Sequence, residues 1–134
     1  MGTKRDVGIY ALFHLIVADS DDQARAEVDA IIEGADHGAI SNILASADLD
    51  TNTGGTSDQL KAALNQSVEA GNMAFMGIPV IYGSPDTVVS RIEGIVERTG
   101  IDGMLFRWPD FVGGIERFCA EVLREELSFC FDYR

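Results

Sequence analysis

Basic side chains are scarce: 10 lysines and arginines face 22 aspartates and glutamates, for a net charge of −12. Binding to nucleic acid or to an anionic membrane needs a basic footprint that displaces counterions, so neither is an expected partner. Cysteine is rarer still. Cys119 and Cys130 lie in one C-terminal stretch, which excludes a disulfide framework and a ligand-spaced metal set and leaves two reduced thiols packed as small apolar groups. No run approaches the roughly 20 apolar residues that span a bilayer. The start, Met1-Gly2-Thr3-Lys4-Arg5-Asp6, carries charges with no apolar stretch behind them. That is unlike a signal peptide, and cytoplasmic residence is the expectation. No pair of His, Cys or carboxylate residues has metal-ligand spacing, and no Ser-His-Asp or Cys-His nucleophile pattern is present.

What is present suits one globular domain. At 134 residues and 46% apolar composition, the chain can bury roughly 70% of its unfolded surface. Ile9 to Val17 is a nearly unbroken apolar run whose one strongly polar member is His14, the signature of a strand covered on both faces. Ser20 then caps a helix, with Gln23 placed to complete a capping box, and Ala24, Val28, Ile31, Ile32 and Ala35 repeat at helical spacing. Gly34 and Asp36-His37-Gly38 interrupt the pattern before a shorter helix through Ala39, Ile40, Ile43, Leu44 and Ala47. Residues 48–57 read as an exposed loop. Asp58 starts another helix through Leu60, Ala63, Leu64 and Val68.

The second half is more regular. Met73 to Tyr82 is broken by Gly77 and Pro79, so its regular strand is Ile78 to Tyr82. Ser84, Pro85 and Asp86 form a helix start, with a cap, a proline at the first helical position and an acid at the positive end of the dipole. Val88, Val89, Ile92, Ile95 and Val96 make its buried stripe, and Gly100 stops it. Ile101 to Phe106 reads as a third strand ending at Arg107-Trp108. Pro109 and Asp110 introduce a last helix with Phe111, Val112, Ile115, Phe118, Cys119, Val122 and Leu123 at its apolar positions. Acidic runs such as Asp19–Asp22 and Glu125-Glu126 read as solvated faces. The fold class is α/β with a parallel sheet. Three strands leave two open edges, so the sheet is incomplete.

Three segments carry a resemblance: Tyr82-Gly83-Ser84-Pro85-Asp86-Thr87-Val88-Val89, Gly100-Ile101-Asp102-Gly103-Met104-Leu105-Phe106, and Pro109-Asp110-Phe111-Val112-Gly113-Gly114-Ile115-Glu116-Arg117-Phe118. Their order is similar to the end of a bacterial luciferase-like flavin-dependent monooxygenase. Upstream, Tyr10 to Ala24 and Gly34-Ala35-Asp36 resemble its pyrimidine oxygenase branch, which opens the uracil ring. The resemblance covers roughly residues 7 to 127. It implies a TIM (β/α)8 barrel, FMN as cofactor, a flavin reductase as partner and oxygen insertion into a small, heterocyclic or related substrate. A whole barrel takes about 250 residues, so the chain corresponds to its last three strand-helix units: 7–35 with a helical insertion at 36–72, 73–99 and 100–127, then a tail, 128–134. Such a portion, incomplete as a barrel, is expected to be inactive alone, and either a complementary barrel fragment or a second copy in a homo-oligomer would cover its edges. The alternative is a non-catalytic, self-associating α/β protein derived from that fold.

Barrel sites lie at the C-terminal ends of strands, which here are Val17 to Ser20, Tyr82 to Ser84 and Arg107 to Asp110. The family's flavin contacts come mainly from earlier strands, so no FMN ligand is transferred. His14 faces either the barrel interior or the core. Gly83 and Ser84 form either a phosphate seat at a helix start or an ordinary cap. Arg107 can hold a phosphate or carbonyl oxygen, and Trp108 can stack on a flat ring; against this, Trp108 can plug the barrel end while Arg107 pairs with an acid. His37 lies in an exposed stretch.

Overall fold

The computed structural model describes residues 7–48, 58 and 74–123. The expected loop at 49–57, the helix after Asp58, Met73, Glu125-Glu126, Cys130 and the tail lie outside them. In chain order the elements are β1 (Tyr10–Val17), α1 (Asp21–Glu33), α2 (His37–Asp48), β2 (Val80–Gly83), α3 (Pro85–Thr99), β3 (Gly103–Arg107) and α4 (Phe111–Arg117), which runs on as a π-helical stretch, Phe118–Val122. The chain groups into two compact units, Met1–Ala24 with Val80–Arg134, and Arg25–Pro79.

The first unit holds a parallel sheet in the order β2-β1-β3. Consecutive barrel units would put β2 in the middle, so this order differs from the one that the family resemblance implies. The lengths and composition of the strands account for it. β1 has eight residues, β2 four and β3 five, and in an open three-stranded sheet the longest apolar strand loses most by standing at an edge. β2 pairs with its C-terminal half, His14 to Val17, and β3 with Tyr10 to His14 on the other edge. β3 is anchored at its start, where the Ile9 N–H donates to Asp102 Oδ2 at 2.6 Å and the Asp102 N–H donates to the Ile9 carbonyl at 2.8 Å.

One face of this sheet makes the core. Phe13, Leu15 and Val17 pack with Ile81 of β2, with Val88, Val89 and Ile92 of α3, and with Phe118 and Val122. Ser84 accepts from the Thr87 N–H, Pro85 follows at the first helical position, and Gly100 closes α3 in the left-handed conformation at φ 63°. The last helix departs from its expected stripe. Phe111 and Val112 are largely exposed, as is Cys119, so this thiol is not packed as a small apolar group. Here the helix widens, the Leu123 N–H donating to the Phe118 carbonyl at 3.1 Å, and Phe118 and Val122 of that stripe fill the core as expected.

In the second unit, α2 starts two residues earlier than its apolar repeat suggests. The Asp36 carboxylate accepts from the Ala39 N–H at 2.9 Å, which makes the polar cluster a helix start and places His37 in the exposed first turn. Ahead of Pro79 the chain turns at Phe75–Gly77, with Met76 and Gly77 at positive φ and the Ile78 N–H bonded to the Phe75 carbonyl. β2 therefore begins at Val80 and not at Ile78.

Candidate functional site

Cross-strand partners in a sheet point to the same side, and successive residues alternate. Phe13, Leu15 and Val17 face the core, so Leu12, His14 and Ile16 face the other way. Their register partners share that face: Leu105 opposite Leu12, Arg107 and Val80 flanking His14, and Tyr82 opposite Ile16. The structure thus brings together two of the five candidate residues, His14 and Arg107, as direct neighbours. His14 is half-buried and Arg107 exposed. Arg107 makes no ion pair with an acid among the described residues. Arg117, by contrast, bonds Glu121 at 2.9 Å and also Asp19 through its guanidinium. Those bonds, to Glu121 first and Asp19 second, raise its pKa above the ordinary value. The apolar surround is open at one end, where Leu105 is 57% exposed and Leu12 39%, and closed at the other, where Ile16 is buried.

Gly83 and Ser84 lie elsewhere, at the β2–α3 junction, where an internal anion occupies the helix start. The Ser84 N–H donates to Asp21 Oδ1 at 2.8 Å, and the Thr87 hydroxyl donates to Asp21 Oδ2 at 3.0 Å. Ser84 Oγ in turn donates to Thr87 Oγ1 at 3.1 Å. Gly83 is essential to this arrangement. Its φ of +152° disfavours a side chain, and a Cβ would stand 2.9 Å from Asp21 Oδ1 and 2.7 Å from the Thr87 methyl. The carboxylate thus takes the place that a phosphate would need. Asp19 and Asp21 are accordingly bonded tethers, where an acidic run read by composition suggests a solvated face.

The Ser84 N–H, followed by the Thr87 hydroxyl, holds the Asp21 carboxyl below its usual pKa. A depressed folded-state pKa stabilises fully above the unfolded value, about 3.9, and this contribution disappears as pH falls through the folded one. Asp21→Asn is therefore expected to lower the urea midpoint at neutral pH and to converge with the parent chain in acid. Parallel midpoint curves from about pH 3 to pH 7 would remove this role.

Trp108 is committed to packing. Its ring lies 6.1 Å from Phe106, 6.1 Å from Phe118 and 6.0 Å edge-on from Phe111. Gly114 lets it in, since a Cβ there would meet the indole Cγ at 2.4 Å. The half-buried indole is thus held by three aromatic neighbours. The Asp110 carboxylate accepts from the Gly113 N–H and caps α4. The three motif segments are therefore accounted for locally as caps, a turn and a close approach.

No protein-family model matches the chain. Pyrimidine monooxygenase RutA of Escherichia coli is 30% identical over 120 residues, which cover 90% of this chain and 32% of RutA. The chain thus spans about a third of the length of the curated relatives it matches. Among solved structures, the EDTA monooxygenase EmoA from Chelativorans sp. BNC1 superimposes with a TM-score of 0.60 at 17% identity, over 83% of this chain and 29% of EmoA. DmoA from Hyphomicrobium sulfonivorans gives 0.59 at 21% identity, over 87% of this chain and 29% of DmoA. At such identities the likeness concerns the fold. Among the described residues, no helix is long and apolar enough to cross a membrane.

Proposed function

We propose, from the kinship of this chain with the bacterial luciferase-like flavin-dependent monooxygenases of the pyrimidine oxygenase branch, that it forms one wall of the substrate pocket of such an enzyme and is inactive alone. The supporting observation is the 30% identity to pyrimidine monooxygenase RutA across 90% of the chain. The whole enzyme would be a TIM barrel that oxidises a small, heterocyclic substrate with dioxygen. A flavin reductase would supply its reduced FMN.

Barrel strands follow one another in sequence order, so completing the barrel would require β3 to exchange the edge of β1 for that of β2. His14 and Arg107 would cease to be direct neighbours, but both would stay on the face opposite α3 and α4, which is the inner face of a barrel. On that face Arg107 would donate to a substrate carbonyl oxygen, while Leu12, Ile16 and Leu105 exclude water. Bound reduced FMN supplies the activation of dioxygen. The residues present fit a carbonyl substrate better than the cofactor, because Asp21 takes up the donors at the start of α3 that a phosphate would use.

A chimera tests this reading, with this chain replacing the matched third of RutA. It should oxidise uracil, and Arg107→Ala should lower kcat/KM roughly 10- to 100-fold, as expected for losing one charge-assisted hydrogen bond. A chimera that folds and binds FMN but consumes no uracil, or that ignores Arg107→Ala, would contradict it.

The open apolar face of Tyr10, Leu12 and Leu105 favours one further reading. In it, a second copy of the chain covers this face and the protein is non-catalytic.

A further inference from the structure

In a completed barrel β1 would pair along both edges, with β2 on one side and with the strand preceding it on the other. In this chain β3 holds that second edge, Gly103 to Arg107 lying in register with Tyr10 to His14. Its apolar hold is thin. No residue of β3 or α4 is buried, and Met104 and Phe106 pack against the core only in part. On the opposite edge, β2 buries Ile81 and Gly83. The buried anchors Phe118 and Val122 come only after α4. What fastens β3 lies at its two ends: Asp102 and Ile9 exchange two hydrogen bonds, the Tyr10 ring lies against Gly103, and Arg117 reaches from α4 to Asp19. A segment with few buried apolar groups opens below the free energy of global unfolding.

We propose that β3 is a detachable cover on β1, opening as one unit while β1, β2 and α3 stay folded, and that the uncovered Tyr10–His14 edge takes up a parallel strand from the rest of a barrel. The docking step rests on the barrel assembly proposed above, whereas the opening step does not. Freed N–H and C=O groups along such an edge are a template for an added strand. The occupant is a barrel strand and not a second copy, because pairing two copies would bring together net charges of −12 each.

Native-state hydrogen exchange on the full chain reads the opening. The amides that bond β1 to β3 should share one protection factor, roughly 100-fold below that of the α3 amides around Ile92, and should respond less to urea. Neighbouring strands lie about 4.8 Å apart, within disulfide reach. Leu12→Cys with Leu105→Cys, in a chain carrying Cys119→Ser and Cys130→Ser, therefore fastens β3 to β1 across one register pair. Oxidation should raise the shared protection to that of α3, and reduction should restore it. Docking is read by light scattering after mixing the chain with the part of RutA that it does not match: the reduced chain should form a complex with one copy of each, and the oxidised chain none. Protection that falls off gradually from one end of β3 would mean fraying and overturn the detachable unit, as would β1–β3 amides that open only together with α3. Equal complex formation by the oxidised and reduced chains, or none by either, overturns the docking step. Exchange is read on the chain alone, so it can fail while the chimera above oxidises uracil, and the chimera can fail while β3 still opens as a unit.

Discussion

Replacing Leu15 with alanine is expected to destabilise the chain by about 2–5 kcal/mol. Leu15 is fully buried at the middle of the central strand, in register with Ile81 and packed in the cluster that joins β1 to α3 and Phe118. The backbone on both sides is held by the sheet, so the cavity cannot easily collapse. Typical domains have about 5–15 kcal/mol in total, and this one substitution removes a large share. Urea unfolding should show a lower midpoint with an unchanged slope. Leu105→Ala is the matched control. It deletes the same atoms from a side chain that is 57% exposed on the opposite face, and is expected to stay within about 0.5 kcal/mol. If the two variants cost the same, the second face is covered in solution, and a second copy of the chain becomes the leading reading.

Much of the architecture was legible because it rests on local chemistry. The apolar run of β1, the Ser84-Pro85 start of α3 and its Gly100 stop each contain their own structural cause within a few residues. The strand order was not legible in this way. Which strand stands in the middle depends on competition for two edges, and the family pattern pointed to consecutive barrel units where the isolated chain places its longest strand at the centre. Contacts across long sequence distances were also hidden. Asp21 meets Ser84 and Thr87, 63 and 66 residues away, and Asp19 meets Arg117, 98 residues away. In a sequence all of them look like ordinary surface polarity. The last helix differs in its first turn: a helical repeat gives the angular position of a residue but not whether the sheet reaches that far, and Phe111 and Val112 are exposed while Phe118 and Val122 of the same repeat are buried.

For the candidate site, composition singled out His14 and Arg107 as polar groups in apolar strands, and their register adds that they share a face. Gly83 and Ser84 offer free helix-start donors in the sequence, and in the structure Asp21 takes up that of Ser84. A signal for that lies in Asp21 itself, an acid opening the helix just past one parallel strand, where it can reach the helix start that follows the next.

The second large effect is a complete loss: the chain by itself is expected to turn over no substrate. Three features lead to that expectation. The chain spans about a third of its curated relatives. Its second sheet face is open to water at Tyr10, Leu12 and Leu105, whereas oxygen chemistry on a flavin needs a site that excludes solvent. And the anion seat at the start of α3 is held by Asp21, so no phosphate site is left there. The direct measurement follows uracil consumption by the purified chain in the presence of reduced FMN and dioxygen, alongside RutA under the same conditions. The account predicts steady consumption by RutA and none above background by this chain, and uracil oxidation by the chain alone would contradict it.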